Sequence, residues 1–156
     1  ELRLKLLVAG QDGVGRFGLL ARRQQVQEEV TFLGGRDDIA DLLLAADMLV
    51  HPARSEAAGI VLLEALVAGL PVVVTDVCGY APHIEAAGAG LVLAGPYRQE
   101  ALDAALHRML DSEFRSQCRM HGLAYADKED LYSMHATGAD LIEQLVAGKL
   151  ESRGDG

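Results

Sequence analysis

The 156-residue sequence predicts an α/β domain built on a parallel sheet with helices on both faces. Three observations carry that prediction. Short, largely apolar runs, at 4–9 and 72–75, suit strands buried on both faces better than half-exposed strands, which alternate. Segments of helical length lie between them and supply the crossovers that parallel strands need. Finally, 17 glycines and only 4% aromatic residues fit many tight strand-to-helix turns better than an aromatic-rich sandwich. With 50% hydrophobic and 24% charged residues the chain can bury a core, so one domain over 1–150 and a loose tail over 151–156 are expected.

The elements follow in order. A first strand over 4–9 ends at Gly10-Gln11-Asp12-Gly13, and a helix over 17–27 follows. The second strand, 30–33, stops at Gly34-Gly35. Asp37 or Asp38 then caps a helix whose apolar face holds Ile39, Leu42, Leu43 and Ala46. A third strand over 48–50 leads into a loop over 51–58 and a strongly apolar helix over 59–68, ended by Gly69. Pro71 opens the fourth strand, 72–75. A short helix over 80–87, a fifth strand over 91–93 and closing helices over 99–110, 112–126 and 131–146 complete a doubly wound, Rossmann-like pattern.

Charge and cysteine usage narrow the function classes. Asp and Glu number 23 against 14 Lys and Arg, a formal net charge of −9, so the surface repels a polyphosphate backbone and nucleic acid is not an expected partner. Cys78 and Cys118 form neither a disulfide framework nor a metal-ligand spacing, which fits free thiols in a reducing, cytoplasmic compartment with no metal. The strongest apolar region, 57–74, is interrupted by Glu64 and Pro71 and falls short of the roughly twenty residues that span a bilayer. The sequence begins at Glu1 with no initiator Met and no signal peptide, and its first residues already read as a strand, so the N-terminal part of a longer protein is expected to precede it.

In such a sheet ligands bind at the carboxyl ends of the strands. The loop after the third strand stands out there, reading His51-Pro52-Ala53-Arg54-Ser55-Glu56-Ala57-Ala58-Gly59-Ile60-Val61-Leu62-Leu63-Glu64. Glu64 sits in a helix that is apolar all round, which predicts a buried carboxylate needing hydrogen-bond donors such as ligand hydroxyls. The helix start offers backbone N–H groups and a positive dipole end suited to phosphate, and Gly59 permits close approach. Phosphate at the helix start and hydroxyls on Glu64 and Glu56 describe a nucleotide-sugar. The alternative on spacing alone is that Glu64 pairs with a basic residue elsewhere and Glu56 faces water.

Glu56 and Glu64, with seven residues between them and followed by Ala65, Gly69, Leu70 and Pro71-Val72-Val73, resemble the Glu-x7-Glu segment of the retaining family 4 glycosyltransferases of glycosyltransferase-B fold. Phe32-Leu33-Gly34, Ala45-Ala46-Asp47-Met48, Asp76-Val77 with Gly79, and Gly90-Leu91-Val92 fall in the order of that family's C-terminal, nucleotide-binding half. Most members carry Gly-Phe-Gly after the first glutamate. Ala57-Ala58-Gly59-Ile60 instead, with His51-Pro52-Ala53, Cys78-Gly79-Tyr80-Ala81 and Asp130-Leu131-Tyr132-Ser133, is similar to the UDP-glucose:(heptosyl)lipopolysaccharide alpha-1,3-glucosyltransferases.

That resemblance implies a UDP-sugar donor, a lipopolysaccharide core acceptor reached through an N-terminal domain, no metal cofactor, and work at the cytoplasmic face of the inner membrane. Residue by residue it gives Glu64 the ribose hydroxyls and Glu56 the hydroxyls of the transferred glucose, the catalytic position nearest the anomeric carbon. Ala58, Gly59, Ile60 and Val61 would offer backbone N–H groups to the sugar and diphosphate. Arg36 would border the uracil. No covalent nucleophile is implied, and electrostatic support of the leaving diphosphate is the expected role.

The resemblance also implies that the family's first strand–helix unit is missing here. Residues 4–8 and 48–50 are then expected either to pair directly or to leave a gap whose unsatisfied ladder groups invite dimerisation. Two rival classes stand beside this reading. Gly13-Val14-Gly15-Arg16-Phe17-Gly18 spells a dinucleotide fingerprint, as in an oxidoreductase, but Asp12 repels phosphate and the acid does not end the second strand. The other rival is a noncatalytic nucleotide-binding module. His51 and His83, each with a nearby proline, read as turn or packing residues, and Cys78 as a small buried filler.

Overall fold

The computed structural model describes residues 3–11, 15–131, 133 and 142. In order the elements are β1 (Leu6–Ala9), α1 (Gly15–Arg23), β2 (Val30–Gly34), α2 (Ile39–Ala45), β3 (Leu49–His51), α3 (Val61–Ala68), β4 (Val72–Thr75), α4 (Ala81–Ala87), β5 (Gly90–Leu93), α5 (Gln99–Met109) and α6 (Ser112–Lys128). Apart from residues 131, 133 and 142, the helix expected over 131–146 lies outside the described residues, as do the tail 151–156 and residues 12–14 at the start of the fingerprint. All strand pairings are parallel, as the apolar runs predict.

The chain divides into two compact units between Leu42 and Leu43. In the first, β1 pairs with β2, Leu6 opposite Val30 and Val8 opposite Phe32, with an irregularity between Val8 and Ala9. The helix expected to reach residue 27 stops at Arg23. Gln25 there takes a φ of 58°, and the Val26 N–H donates back to Ala21 O at 3.0 Å, which closes the last turn. Asp38, a predicted helix cap, stands immediately before α2 with its carbonyl accepting the Leu42 N–H at 3.2 Å, while its carboxylate accepts two hydrogen bonds from the Arg36 guanidinium. Among the described residues of this unit Ala21 alone is buried.

The second unit carries the core. Its sheet has the order β3-β4-β5, with Leu49 opposite Val72 and Val72 opposite Gly90. Successive side chains on β4 point to opposite faces. Val73, with Val50, Leu91 and Leu93, packs on Leu102, Ala105 and Met109 of α5. Val72 and Val74 take the other face, and α3, α4 and α6 pack on one another. Leu62, Leu66, Val72, Val73, Val74, Ile84 and Met109 are fully buried.

β1 pairs with β2 within the first unit, and β3 with β4 within the second. Helix α3 also corrects an expectation. It buries Leu62, Leu63, Ala65 and Leu66 and leaves the stripe Ile60, Glu64 and Val67 exposed. Those three positions are spaced i, i+4 and i+7, one face of a helix. Uniformly apolar composition therefore hid a free face, and Glu64 is not a buried carboxylate.

Candidate functional site

The loop between β3 and α3 is fastened to the loop between β4 and α4. Thr75, buried at the end of β4, donates from Oγ1 to Ala53 O at 2.6 Å. The Tyr80 N–H donates to Ala58 O at 3.0 Å. The two loops run so close at Gly79 that a Cβ there would lie 2.6 Å from Ala57 O, so only glycine fits without a backbone shift. Gly59 is required for a different reason: its φ is +75°, while the space around a Cβ would be ordinary at 3.4–3.6 Å.

Glu56 folds back on its own loop. Its Oε1 accepts from Ala57 N at 2.9 Å and Ala58 N at 3.3 Å. Its Oε2 stands 3.9 Å from His51 Nε2 at the end of β3. That imidazole nitrogen is buried and has no hydrogen-bond partner among the described residues. Cys78 lies beneath the loop; burial pushes its thiol up, the Thr75 hydroxyl opposes this, and the Glu56 charge adds to it. As a protonated, buried group it is the inert filler expected, and Cys118 in α6 is buried and raised likewise.

No side chain caps the start of α3. The first donor inside the helix is the Leu62 N–H, to Gly59 O at 2.9 Å, so the amides of Gly59, Ile60 and Val61 precede the hydrogen-bonded ladder. With the dipole end of the helix they form a concentration of positive potential beside Glu56. The Ala58 amide, expected to face a ligand, is taken by Glu56 Oε1 in this arrangement.

Glu56, Gly59, Ile60, Val61 and Glu64 thus lie on one continuous loop and helix of the second unit, with Glu64 on the exposed stripe in the first turn of α3. Arg36 belongs to the first unit, in the turn after β2, where its exposed guanidinium pairs with Asp38. Among the described residues no three His, Cys, Asp or Glu side chains gather as metal ligands.

Sequence reasoning passed over two features. One is His51, set aside as a turn residue; its place at the carboxyl end of the strand entering the loop was the available signal. The other is an open groove of about 420 Å³ at the ends of β3, β4 and β5, lined by Ala53, Arg54, Thr75, Asp76, Leu93 and Tyr97 among others. There the Arg54 guanidinium lies 5.2 Å over the Tyr97 ring and Asp76 accepts the Gly95 N–H at 2.8 Å. No local pattern ties those side chains together in the sequence. His83 does pack, its Nδ1 2.9 Å from the Tyr125 hydroxyl.

Comparison with known proteins converges on one family. The family model of the group 1 glycosyl transferases matches residues 1–125. The lipopolysaccharide glucosyltransferase WaaG of Escherichia coli is 48% identical over 138 residues, 88% of this chain and 37% of that protein. The lipopolysaccharide core biosynthesis mannosyltransferase LpsB of Rhizobium meliloti is 32% identical over 122 residues, 76% of this chain and 35% of the relative. The crystal structure of WaaG, a glycosyltransferase involved in lipopolysaccharide biosynthesis, superposes with a TM-score of 0.85 at 47% identity, covering 88% of this chain and 38% of that one. The chain therefore spans between a third and two fifths of the length of these relatives. The parallel sheets, the helices on both faces and this match set aside the oxidoreductase reading of the glycine fingerprint, and the chain belongs to the group 1 glycosyl transferases, with the glycosyltransferase-B fold.

Proposed function

We propose that the chain forms the UDP-sugar-binding part of a retaining glucosyltransferase that moves glucose from UDP-glucose to a heptose of the lipopolysaccharide inner core. The observation that carries this is the uncapped start of α3 with Glu56 immediately before it and Glu64 within it, in a member of the group 1 family. The diphosphate sits on the amides of Ala58, Gly59, Ile60 and Val61, where the helix dipole stabilises the charge that grows as the anomeric C–O bond breaks. Glu56 accepts hydrogen bonds from the glucose hydroxyls, Glu64 from the ribose, and Arg36 stacks on the uracil.

Bond formation to the heptose hydroxyl takes place on the face from which the diphosphate leaves, with no protein nucleophile and no metal. The heptose acceptor is held by the remainder of the parent enzyme, so the 156 residues alone bind donor but transfer nothing. None of the described helices is long and apolar enough to cross a membrane. The proposed workplace is the cytoplasmic face of the inner membrane, with peripheral attachment, and self-association through the exposed β1 edge.

Calorimetry of the chain with UDP, UDP-glucose, UDP-galactose, GDP-mannose and NAD tests the reading. UDP and UDP-glucose should bind, with UDP-glucose preferred over GDP-mannose, and EDTA should leave both affinities unchanged. Binding of NAD without UDP would point to a different family of ligands, and preference for GDP-mannose would replace the donor.

A further inference from the structure

We propose that His51 is a positioning residue that holds Glu56 in its donor-binding orientation, and that the carboxylate has two stations. One is the arrangement seen, with Oε1 on the amides of Ala57 and Ala58. The other is on His51 Nε2. The inference rests on the donor-site reading of Glu56 above.

Three facts support the second station. His51 Nε2 is sealed from solvent and makes no hydrogen bond among the described residues, although buried polar groups are nearly always paired. A carboxylate oxygen, Glu56 Oε2, stands 3.9 Å away, about 1 Å beyond a charge-assisted hydrogen bond. Finally, the station now occupied consumes the Ala58 amide, which the donor diphosphate or sugar would otherwise use. A small swing of Glu56 toward His51 answers all three: the orphaned nitrogen gains an acceptor, the Ala57 and Ala58 amides are released, and the carboxylate is fixed where it meets the sugar. The backbone of His51 is held in the ladder opposite Val74, so the smaller movement is that of the Glu56 side chain in its loop.

The test uses this chain and its variants His51→Phe, which keeps an aromatic ring without nitrogens, His51→Gln, which restores a donor, and Glu56→Ala. Affinities for UDP and UDP-glucose come from calorimetry, and the Ala57 amide is followed by NMR. In the unmodified chain saturation with UDP-glucose should shift the Ala57 amide as Glu56 leaves it, and in His51→Phe that shift should be absent. The ratio of UDP-glucose to UDP affinity should fall about tenfold in His51→Phe and recover to within about twofold in His51→Gln. In the Glu56→Ala background, His51→Phe should change nothing further, because no carboxylate remains to be held.

A wild-type ratio in His51→Phe, or an equal loss in the Glu56→Ala background, overturns the assignment and leaves the donor site standing. Failure of the unmodified chain to bind either ligand overturns the donor site and this inference with it. Should His51→Phe not fold, His51→Leu, which also lacks a donor, takes its place: a lowered ratio restored in His51→Gln supports the inference, and a ratio equal to that of the unmodified chain refutes it.

Discussion

β1 and β4 are four-residue strands of nearly the same character, Leu6-Leu7-Val8-Ala9 and Val72-Val73-Val74-Thr75, in opposite surroundings. Every residue of β4 is buried, between β3 and β5 in the sheet. Every residue of β1 is exposed, with β2 as its single ladder partner among the described residues. An apolar run therefore reports what a strand is built to be covered by, not what its own unit supplies. A three-stranded sheet has a central strand to bury and helices to bury it; a two-stranded sheet has only edges. Leu4, Leu6, Leu7, Phe17, Leu19 and Leu20 remain 47–62% exposed in the first unit, an apolar surface of the kind that binds something else.

Paired truncations would break or sharpen this contrast most strongly. Leu66, fully buried in α3, should cost about 2–5 kcal/mol when changed to Ala, through lost transfer energy and the cavity left behind. Leu7→Ala, at a residue 51% exposed, should cost less than about 1 kcal/mol. Urea titrations of the two variants check this. Equal losses would mean that β1 is covered in solution, for instance by a second copy of the chain.

A glycine pair asks the same question of the backbone. Gly79→Ala drives a Cβ into Ala57 O and should destabilise the second unit by about 1–3 kcal/mol while weakening UDP-glucose binding, since the loop carrying Glu56 must move. Gly10→Ala, where a Cβ would meet nothing within 4 Å, should stay within about 0.5 kcal/mol of the unmodified chain. Thermal melts with a parallel UDP-glucose titration read both effects. A neutral Gly79→Ala would show that the two loops of the site are not tightly joined.

Most of the fold was legible in the sequence, because strand and helix types follow from local pattern. The fourth strand and the start of α5 were placed to the residue, and the other described elements to within a few residues. What was not legible depended on neighbours distant in the chain. Glu64 was read as buried because all its sequence neighbours are apolar, yet which face of a helix is covered is decided by α4 and α6, not by α3. The proposed donor loop stands out in the sequence because Glu56, Gly59 and Glu64 lie within nine residues of one another. The partnerships of Glu56 with His51 and of Arg54 with Tyr97 were not, since proximity there is created by the fold.

The exposed position of Glu64 sharpens what its substitution should do. Glu64→Gln should leave stability unchanged, because no buried network is broken, and should weaken UDP binding by about 1.5 kcal/mol, the lower range for a hydrogen bond to a charged group. Calorimetry and a urea titration on the same variant separate the two. Loss of stability with unchanged affinity would return Glu64 to a structural role.

The smallest effect expected concerns the Arg36–Asp38 pair, the polar counterpart of the exposed apolar surface in the first unit. The guanidinium hydrogen-bonded to it holds the Asp38 carboxyl below the usual carboxylate range, with slight burial opposing. A carboxylate whose folded value is depressed adds stability that is present above its unfolded value, near 4, and is lost as pH falls through the folded value. The stability difference between the unmodified chain and Asp38→Asn should therefore be constant at neutral pH and shrink in acid. Raising the salt concentration should shrink it as well, because both side chains are 40% exposed and their attraction is screened. Denaturation series at several pH values provide the measurement, and a difference that grows in acid would mean the pair does not form in solution. The same variant bears on the donor site, since an Arg36 released from Asp38 is free to stack on a base. UDP affinity should hold or rise in Asp38→Asn and fall in Arg36→Ala; the reverse order would remove Arg36 from the uracil.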